Sequence, residues 1–268
     1  MEYDPIKRSL GNVFNKSVFL RKLFYNLLDL LLLRCCHIHK ELKAWQKTVT
    51  DSAKIFDAGA GFGQYSYYMH TMNKNWEILS ADVKEEQVAD CNAFFKKLGT
   101  DKVKFIVADL TQYKQPDTFD LVVCVDVMEH ILDDVACFRN YAASLKKGGM
   151  LLISTPSDQV GSDVHEGSEE SFIGEHVRDG YPIEEIKQKI LASGFSKVDA
   201  RYNYGSPGKI SWRLSMKYPI QVLGVSKLFF VLLPFYYIIV YPVCYVLNWM
   251  DVNGNHATGT GLVVKAWK

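Results

Sequence analysis

The sequence lacks several features that would fix its class at once. Its six cysteines, Cys35, Cys36, Cys91, Cys124, Cys137 and Cys244, show none of the paired spacing of a structural metal site. Reduced thiols in a cytosolic setting follow, and no metal is expected. Net charge is also missing, with 31 basic against 30 acidic residues, although the balance is uneven along the chain. Residues 1–48 carry nine Lys or Arg against four acids, residues 49–205 carry 16 against 25, and residues 206–250 have four basic groups and no acid. The acidic centre is a poor footprint for nucleic acid, so none is expected as a partner. The opening Met-Glu-Tyr-Asp is acidic and polar and predicts no secretory leader.

What is present centres on Lys54 to Gly63, Lys-Ile-Phe-Asp-Ala-Gly-Ala-Gly-Phe-Gly. Ile55 and Phe56 read as the end of a buried strand, and a helix is predicted from Gln64. Asp57, Ala58, Gly59, Gly61 and Gly63 form the tight turn between them. Glycines let a bulky ligand approach the backbone, and the helix start offers unpaired N–H groups. The spacing G-x-G-x-G lacks the third glycine of the dinucleotide fingerprint. Asp57 beside the turn would oppose a pyrophosphate and welcome an amino group.

From Lys54 onward, apolar strand segments alternate with helical ones. Strands are predicted at 54–57, 77–81, 103–107, 119–125 and 150–154, with helices from about 64, over 84–98 and over 133–146. Strands six and seven are predicted at 195–204 and 258–267. Almost wholly apolar strands separated by helices indicate a doubly wound, mostly parallel α/β sheet covered on both faces. Asp57, Asp82, Asp109, Asp126 and Thr155 end strands or begin the loops after them, on the edge where such sheets bind ligands. Asp82 is placed for ribose hydroxyls, and Val127 or Met128 for an adenine face. Glu129 and His130 enter the same edge, His130 as a candidate base or an orienting group. The polar stretch 157–180 reads as a lid or substrate loop, in which His165 and His176 are further catalytic candidates.

Two apolar segments flank this core. Residues 17–34 are predicted as a helix with Ser17 as N-cap, a stripe of Val18, Leu20, Leu23, Phe24, Leu27, Leu28, Leu31 and Leu32, and Arg21, Lys22, Asn26 and Asp29 away from it. Residues 228–247 are uncharged, long enough by count to span a bilayer, and interrupted by Pro234 and Pro242. If strands six and seven pair, both ends of this insert lie on one side of any membrane, which weighs against a single crossing and leaves a transmembrane anchor as the lesser alternative. A kinked helical pair remains, either lying at an anionic membrane interface or buried over the core. Lys209, Arg213, Lys217 and Lys227 and the frequent Tyr and Trp suit the interface. The chain thus divides into a helical cap (1–48), a core (49–204), an apolar insert (205–257) and a last strand (258–268), with a cytoplasmic location, peripheral on the cytoplasmic face of the membrane.

Together, Asp57 to Gly63, Asp82, Ala108-Asp109, Phe119-Asp120, Val127 to His130 and Lys147-Gly148-Gly149 resemble the class I S-adenosylmethionine-dependent methyltransferases, in particular small-molecule and quinone methyltransferases. The resemblance covers residues 45–204 and the last strand. It implies a Rossmann-like seven-stranded sheet with an antiparallel last strand and S-adenosyl-L-methionine as cofactor. It further implies that the 57–63 loop contacts the methionine part, Asp82 the ribose and Asp109 the adenine amino group. Val83 and Leu110 would flank the adenine, and Asp126, Val127 and Met128 would line the pocket near the sulfonium. His130, His165, His176 and Glu129 are the candidates for handling an acceptor's proton or ammonium. The apolar flanks suggest a hydrophobic small-molecule or lipid acceptor, methylated on oxygen. The alternatives are a nicotinamide-dependent oxidoreductase and a non-catalytic membrane- or partner-binding module.

Overall fold

A computed structural model describes residues 17–159 and 177–268. The chain opens with α1 (Val18–Leu31) and α2 (Leu33–Gln46). It continues through β1 (Lys54–Ala58), α3 (Gln64–Met72), β2 (Glu77–Asp82), α4 (Glu85–Leu98) and β3 (Val103–Val107). Next come β4 (Phe119–Val125), α5 (Asp134–Ser144), β5 (Leu145–Pro156), α6 (Ile183–Ala192) and β6 (Lys197–Asn203). The insert comprises α7 (Ser206–Trp212), a π turn (Arg213–Lys217), α8 (Tyr218–Val225), a 3-10 turn (Lys227–Val231) and α9 (Leu233–Asn253), and β7 (Gly261–Trp267) ends the chain.

The seven strands form one sheet in the order β3-β2-β1-β4-β5-β7-β6, with β7 antiparallel to both its neighbours. The reversal between β1 and β4 is a topological switch point, where the carboxyl ends of neighbouring strands leave a crevice. The strand pattern explains the two layers. Ile55, Leu121, Val123 and Leu152 face one side, where Ile38 and Leu42 of α2, Met69 of α3 and Phe95 of α4 cover them. Phe56, Val122, Cys124, Leu151 and Ile153 alternate onto the other side, beneath Phe138 and Tyr141 of α5 and Ile186 and Ile190 of α6. Local signals agree with the ends of these elements. In α4, for example, Glu85 and Glu86 sit in the first turn, Lys96 and Lys97 in the last, and Gly99 closes it at φ +79°.

The N-terminal helix differs from its sequence reading in two ways. The chain breaks at Leu32, whose extended backbone starts a second helix, α2. The faces of α1 are also partly exchanged: Arg21 and Tyr25 are buried, while Phe19 (73% exposed), Leu23, Leu27 and Leu30 face outward. The reason is the neighbour that α1 covers. It lies on the glycine-rich loop, whose Phe62 carbonyl accepts hydrogen bonds from Arg21 Nη2 (2.9 Å) and Tyr25 Oη (2.6 Å), so polar groups go inward.

The insert is a helical hairpin. Gly208 N donates to Asp251 (3.0 Å) at its base, Ser211 Oγ to the Cys244 carbonyl (3.4 Å) higher up, and Tyr237 Oη to the Ser215 carbonyl (2.7 Å) higher still. Partners that climb one arm as they descend the other define antiparallel arms. Pro234 falls in the first turn of α9, where its missing N–H costs nothing, but α9 runs on through Pro242, so the expected second interruption is absent. Burial of the insert as a second core is overturned, since α9 buries only Cys244, Asn248, Asp251 and Val252.

The hairpin is fastened at its base. His37 Nε2 lies 2.8 Å from Asp251 Oδ1, and both side chains are fully buried. Arg201 Nη1 donates to His37 Nδ1 (3.2 Å), which leaves Nε2 carrying the proton given to Asp251. Burial, more than any neighbour, pulls the His37 pKa down, in keeping with a neutral imidazole. Burial would raise the Asp251 carboxyl, but the hydrogen bond from His37 and the backbone N–H of Gly208 hold it below the usual carboxylate range.

Candidate functional site

The loop after β1 is shaped by glycines where nothing else fits. A Cβ on Gly59 (φ +77°) would lie 2.3 Å from Val127 Cγ2, so this glycine lets the β4 loop close against the β1 loop. Gly61 (φ +50°) is the opposite case, with no atom within 4 Å of an added Cβ. Its open side is a cradle for a ligand against bare backbone. Gly63, left-handed at φ +76°, is the N-cap of α3.

Asp82 ties this loop to β2. Its Oδ2 accepts from Gly61 N and its Oδ1 from Lys84 N, each at 2.9 Å. Each carboxylate oxygen keeps a lone pair, a fit for two vicinal hydroxyls. Asp109, exposed after β3, accepts on Oδ1 from the backbone N–H (2.9 Å) and hydroxyl (2.7 Å) of Thr111, and Oδ2 takes no hydrogen bond from the described residues. Val83 is exposed beside Asp82. These residues fit a nucleoside: hydroxyl acceptors, a free carboxylate oxygen for an amino group, and an apolar side chain for a ring face.

Other expected contacts are redirected. Asp57 is only 2% exposed, and its carboxylate accepts from the Ser66 hydroxyl, which also lies 2.8 Å from Ser80 Oγ. It fastens the loop to α3 from below instead of facing an amino group. Burial, with the nearby charge of Asp82, pushes its pKa up to about 6 despite the Ser66 hydrogen bond. Ala58 and Met128 are wholly buried and Leu110 nearly so, all within the core under α5 and α6. They support the floor of the site and do not line it, because the 3-10 turn Met128–His130 directs Met128 inward, towards Tyr141. Val127 remains half-buried against Gly59.

A second group converges beyond the ends of β4 and β5. Asp126 has a left-handed backbone, φ +53°, uncommon for a residue with a side chain, and its carboxylate pairs with Arg34 of α2. The backbone N–H of Arg34 donates to Tyr204 Oη (3.1 Å), and Tyr204 is left-handed too, φ +52°. Two strained residues thus meet one arginine. Burial works against the Arg34 charge, but Asp126 outweighs it and the guanidinium pKa is raised. Glu129 is buried, accepts from Thr155 Oγ1 (3.1 Å), and is pushed up to about 8 first by burial and then by the charge of Asp126. His130 is half-buried at the end of the same turn. His165 and His176 lie outside the described residues.

Sequence reasoning missed Arg34, Tyr204, Arg21 and Tyr25. Arg34 carried the one available signal, a charge closing an otherwise leucine-rich run. Among the described residues no cluster of three or more His, Cys, Asp or Glu is placed to hold a metal ion.

Residues 49–193 match the family described as a methyltransferase domain. The chain is 31% identical over 150 residues to phosphoethanolamine N-methyltransferase of Triticum aestivum, a match covering 55% of this chain and 28% of that protein. It is 32% identical over 105 residues to a ubiquinone biosynthesis O-methyltransferase of Xanthomonas campestris pv. campestris, covering 38% of this chain and 43% of that protein. The chain therefore spans less than half the length of these two curated relatives. Among solved structures, phosphoethanolamine N-methyltransferase 2 of Haemonchus contortus in complex with S-adenosyl-L-methionine superposes with a TM-score of 0.58 at 17% identity, over 82% of this chain and 49% of that one. An S-adenosylmethionine-dependent methyltransferase from Mesorhizobium loti does so with a TM-score of 0.53 at 17% identity, over 85% of this chain and 97% of that one. At these identities the likeness speaks for the fold.

Proposed function

The chain belongs to the class I S-adenosylmethionine-dependent methyltransferases, and on that premise we propose that it transfers a methyl group to a hydroxyl oxygen of a hydrophobic, lipid-like acceptor at the cytoplasmic face of a membrane. When bound, S-adenosylmethionine supplies an electrophilic methyl group. The protein's part is to hold the nucleoside with Asp82, Asp109, Val83 and the open backbone at Gly61, and to align the acceptor.

The observation that carries the choice of acceptor is the neutralised acid set beyond β4 and β5. An ammonium substrate would be drawn by an unpaired carboxylate. Here Asp126 is paired with Arg34, and Glu129 is held towards its neutral form by burial. A neutral hydroxyl suits this environment better. His130 is the group we assign to accept its proton, imidazole being the side chain suited to that step near neutral pH. The exposed apolar faces of α1 and the hairpin support a hydrophobic acceptor.

Calorimetry with S-adenosylhomocysteine, followed by turnover assays on a prenylated phenol in phospholipid vesicles and on phosphoethanolamine, tests the reading. Expected are cofactor binding, methylation of the phenol, and loss of that turnover in His130→Gln with cofactor binding retained. Turnover of the amine alone would overturn the choice of acceptor. Binding without turnover on any acceptor would favour a non-catalytic module, and preference for a nicotinamide nucleotide would favour an oxidoreductase.

A further inference from the structure

The hairpin of residues 206–253 presents a surface that the catalytic fold does not use. Its most exposed large apolar side chains lie at the tip. Nearer the base Cys244 and Val252 are buried, although Trp249 and Met250 are exposed, whereas at the tip Val225 is 82% and Leu228 81% exposed, with Phe230, Val231 and Leu232 also exposed. Large apolar groups at a helical tip that no described residue covers mark a binding surface.

Three observations specify a bilayer as the occupant. The first is charge: residues 206–250 contain no acid, three of their four cations, Lys209, Arg213 and Lys217, lie on the arm below α8, the fourth, Lys227, opens the tip turn, and α8 itself carries no charge. The second is the aromatic set, Tyr241, Tyr245 and Trp249, which recur every four residues on α9 below the tip, with Tyr245 and Trp249 exposed. Such amphipathic rings favour the head-group level. The third is geometry. Both arms return to one anchor, Asp251 with His37, Tyr204 and Gly208, so both ends stay with the sheet.

We infer that the hairpin is a monotopic anchor that enters one leaflet tip-first and does not cross the bilayer, a deepening of the membrane-face reading above. The uncharged arm α8 has eight residues, about 12 Å of helix. That matches roughly half of a hydrocarbon core about 30 Å thick. Helix α9 has the length and apolar character to span a membrane by itself, and only 11% of its most apolar stretch is buried. Its pairing with α7 and the π turn, through Cys244 and Tyr237, holds it beside the basic arm along most of its length.

The test uses the full chain and vesicles of phosphatidylcholine with phosphatidylglycerol. The wild type is expected to float with the vesicles, and Val225→Asp/Leu228→Asp to lose at least roughly tenfold in bound fraction, because carboxylates replace two groups in hydrocarbon. Both substituted sites are exposed, so S-adenosylhomocysteine binding should be unchanged and reports that the variant is folded. A Leu228→Cys variant carrying an environment-sensitive fluorophore should be quenched by lipids labelled along the acyl chain. The same cysteine, left unlabelled, should escape an impermeant thiol reagent enclosed in the vesicles. A wild type indifferent to vesicles, a double variant that floats as well as the wild type, or labelling from the enclosed side would overturn the inference. If the double variant keeps its flotation but loses self-association in sedimentation, the tip docks a second copy, and the anchor is likewise overturned. Flotation without turnover would defeat the functional reading and leave the anchor standing. Methylation of a detergent-dispersed phenol by a chain that ignores vesicles would defeat the anchor alone.

Discussion

In the sheet, Val122, Cys124, Leu151 and Ile153 lie beneath helices α5 and α6, while in the hairpin Val225, Leu228 and Ile238 face outward with no such cover. Both regions are rich in apolar residues, so composition does not separate them. The difference is periodicity and where polar partners stand. Strand residues alternate between two covered faces, and the acids that end strands gather on one edge to meet a ligand. Among the described residues the hairpin is tied to the rest of the chain by polar contacts at its base, at His37, Asp251 and Gly208, and beyond its basic arm it is largely apolar. One region covers its apolar side chains within its own fold, and the other leaves them exposed among the described residues.

Cutting the joint between the two regions should have the largest effect. Asp251→Ala leaves the buried His37 Nε2–H and the backbone N–H groups of Tyr204 and Gly208 without their acceptor. The expected cost is about 3 kcal/mol or more in denaturant unfolding, since hydrogen bonds to a charged group contribute about 1.5–3 kcal/mol each. Unaltered stability would mean that the hairpin is only loosely attached to the sheet. Asp82→Ala comes next and acts on the sheet side alone. S-adenosylhomocysteine affinity should fall roughly 100-fold by calorimetry, while vesicle flotation stays as in the wild type. Equal binding by that variant would remove the ribose assignment.

Helix α1 offers a finer comparison, because it carries both characters on two faces. Arg21→Met removes the Arg21 hydrogen bonds to Phe62 and Tyr25 and should loosen the cofactor loop, weakening S-adenosylhomocysteine binding by roughly tenfold and leaving flotation intact. Phe19→Asp/Leu23→Asp should do the reverse. If both variants change the same property, the faces are not independent.

The centre of the sheet was legible because β1, β4 and β5 each hold a short apolar run and a glycine or acid marks most of the turns, whereas β6, Lys-Val-Asp-Ala-Arg-Tyr-Asn, is not an apolar run. The positions of Asp82 and Asp109 at the carboxyl ends of β2 and β3 could be read from the sequence alone. What stayed hidden were pairings across long stretches of chain: Arg34 with Asp126 is 92 residues apart, Arg34 with Tyr204 170, and His37 with Asp251 214. Spacing carries no information about such contacts. The direction of Met128 and Leu110 was hidden for another reason. An apolar residue in a loop after a strand suits a pocket wall and a core equally well; the 3-10 turn after β4 carries Met128 into the core, and Leu110, after β3, is buried in the same cluster. The outward leucines of α1 were misread because its buried partner is a loop of carbonyls, which attracts Arg21 and Tyr25 instead.

A last comparison concerns pH, and it separates the buried acceptor edge from the rest of the molecule. Glu129 holds its proton up to about 8 in the folded chain, raised first by burial and then by Asp126, whereas an unfolded glutamate ionises near 4.5. Between those values the folded state binds a proton that the unfolded state has released, so the stability contributed by this group declines as pH rises from about 5 to 8. Glu129→Gln keeps an oxygen for the Thr155 hydroxyl and cannot ionise. Thermal unfolding followed from pH 5 to 8 should therefore show the wild type losing more Tm than this variant, by roughly ten degrees, since about three pH units of linkage amount to about 4 kcal/mol. Parallel curves would mean that Glu129 is ionised in the folded protein. The edge beside Asp126 would then hold an uncompensated carboxylate, and an amine would suit it better than a hydroxyl.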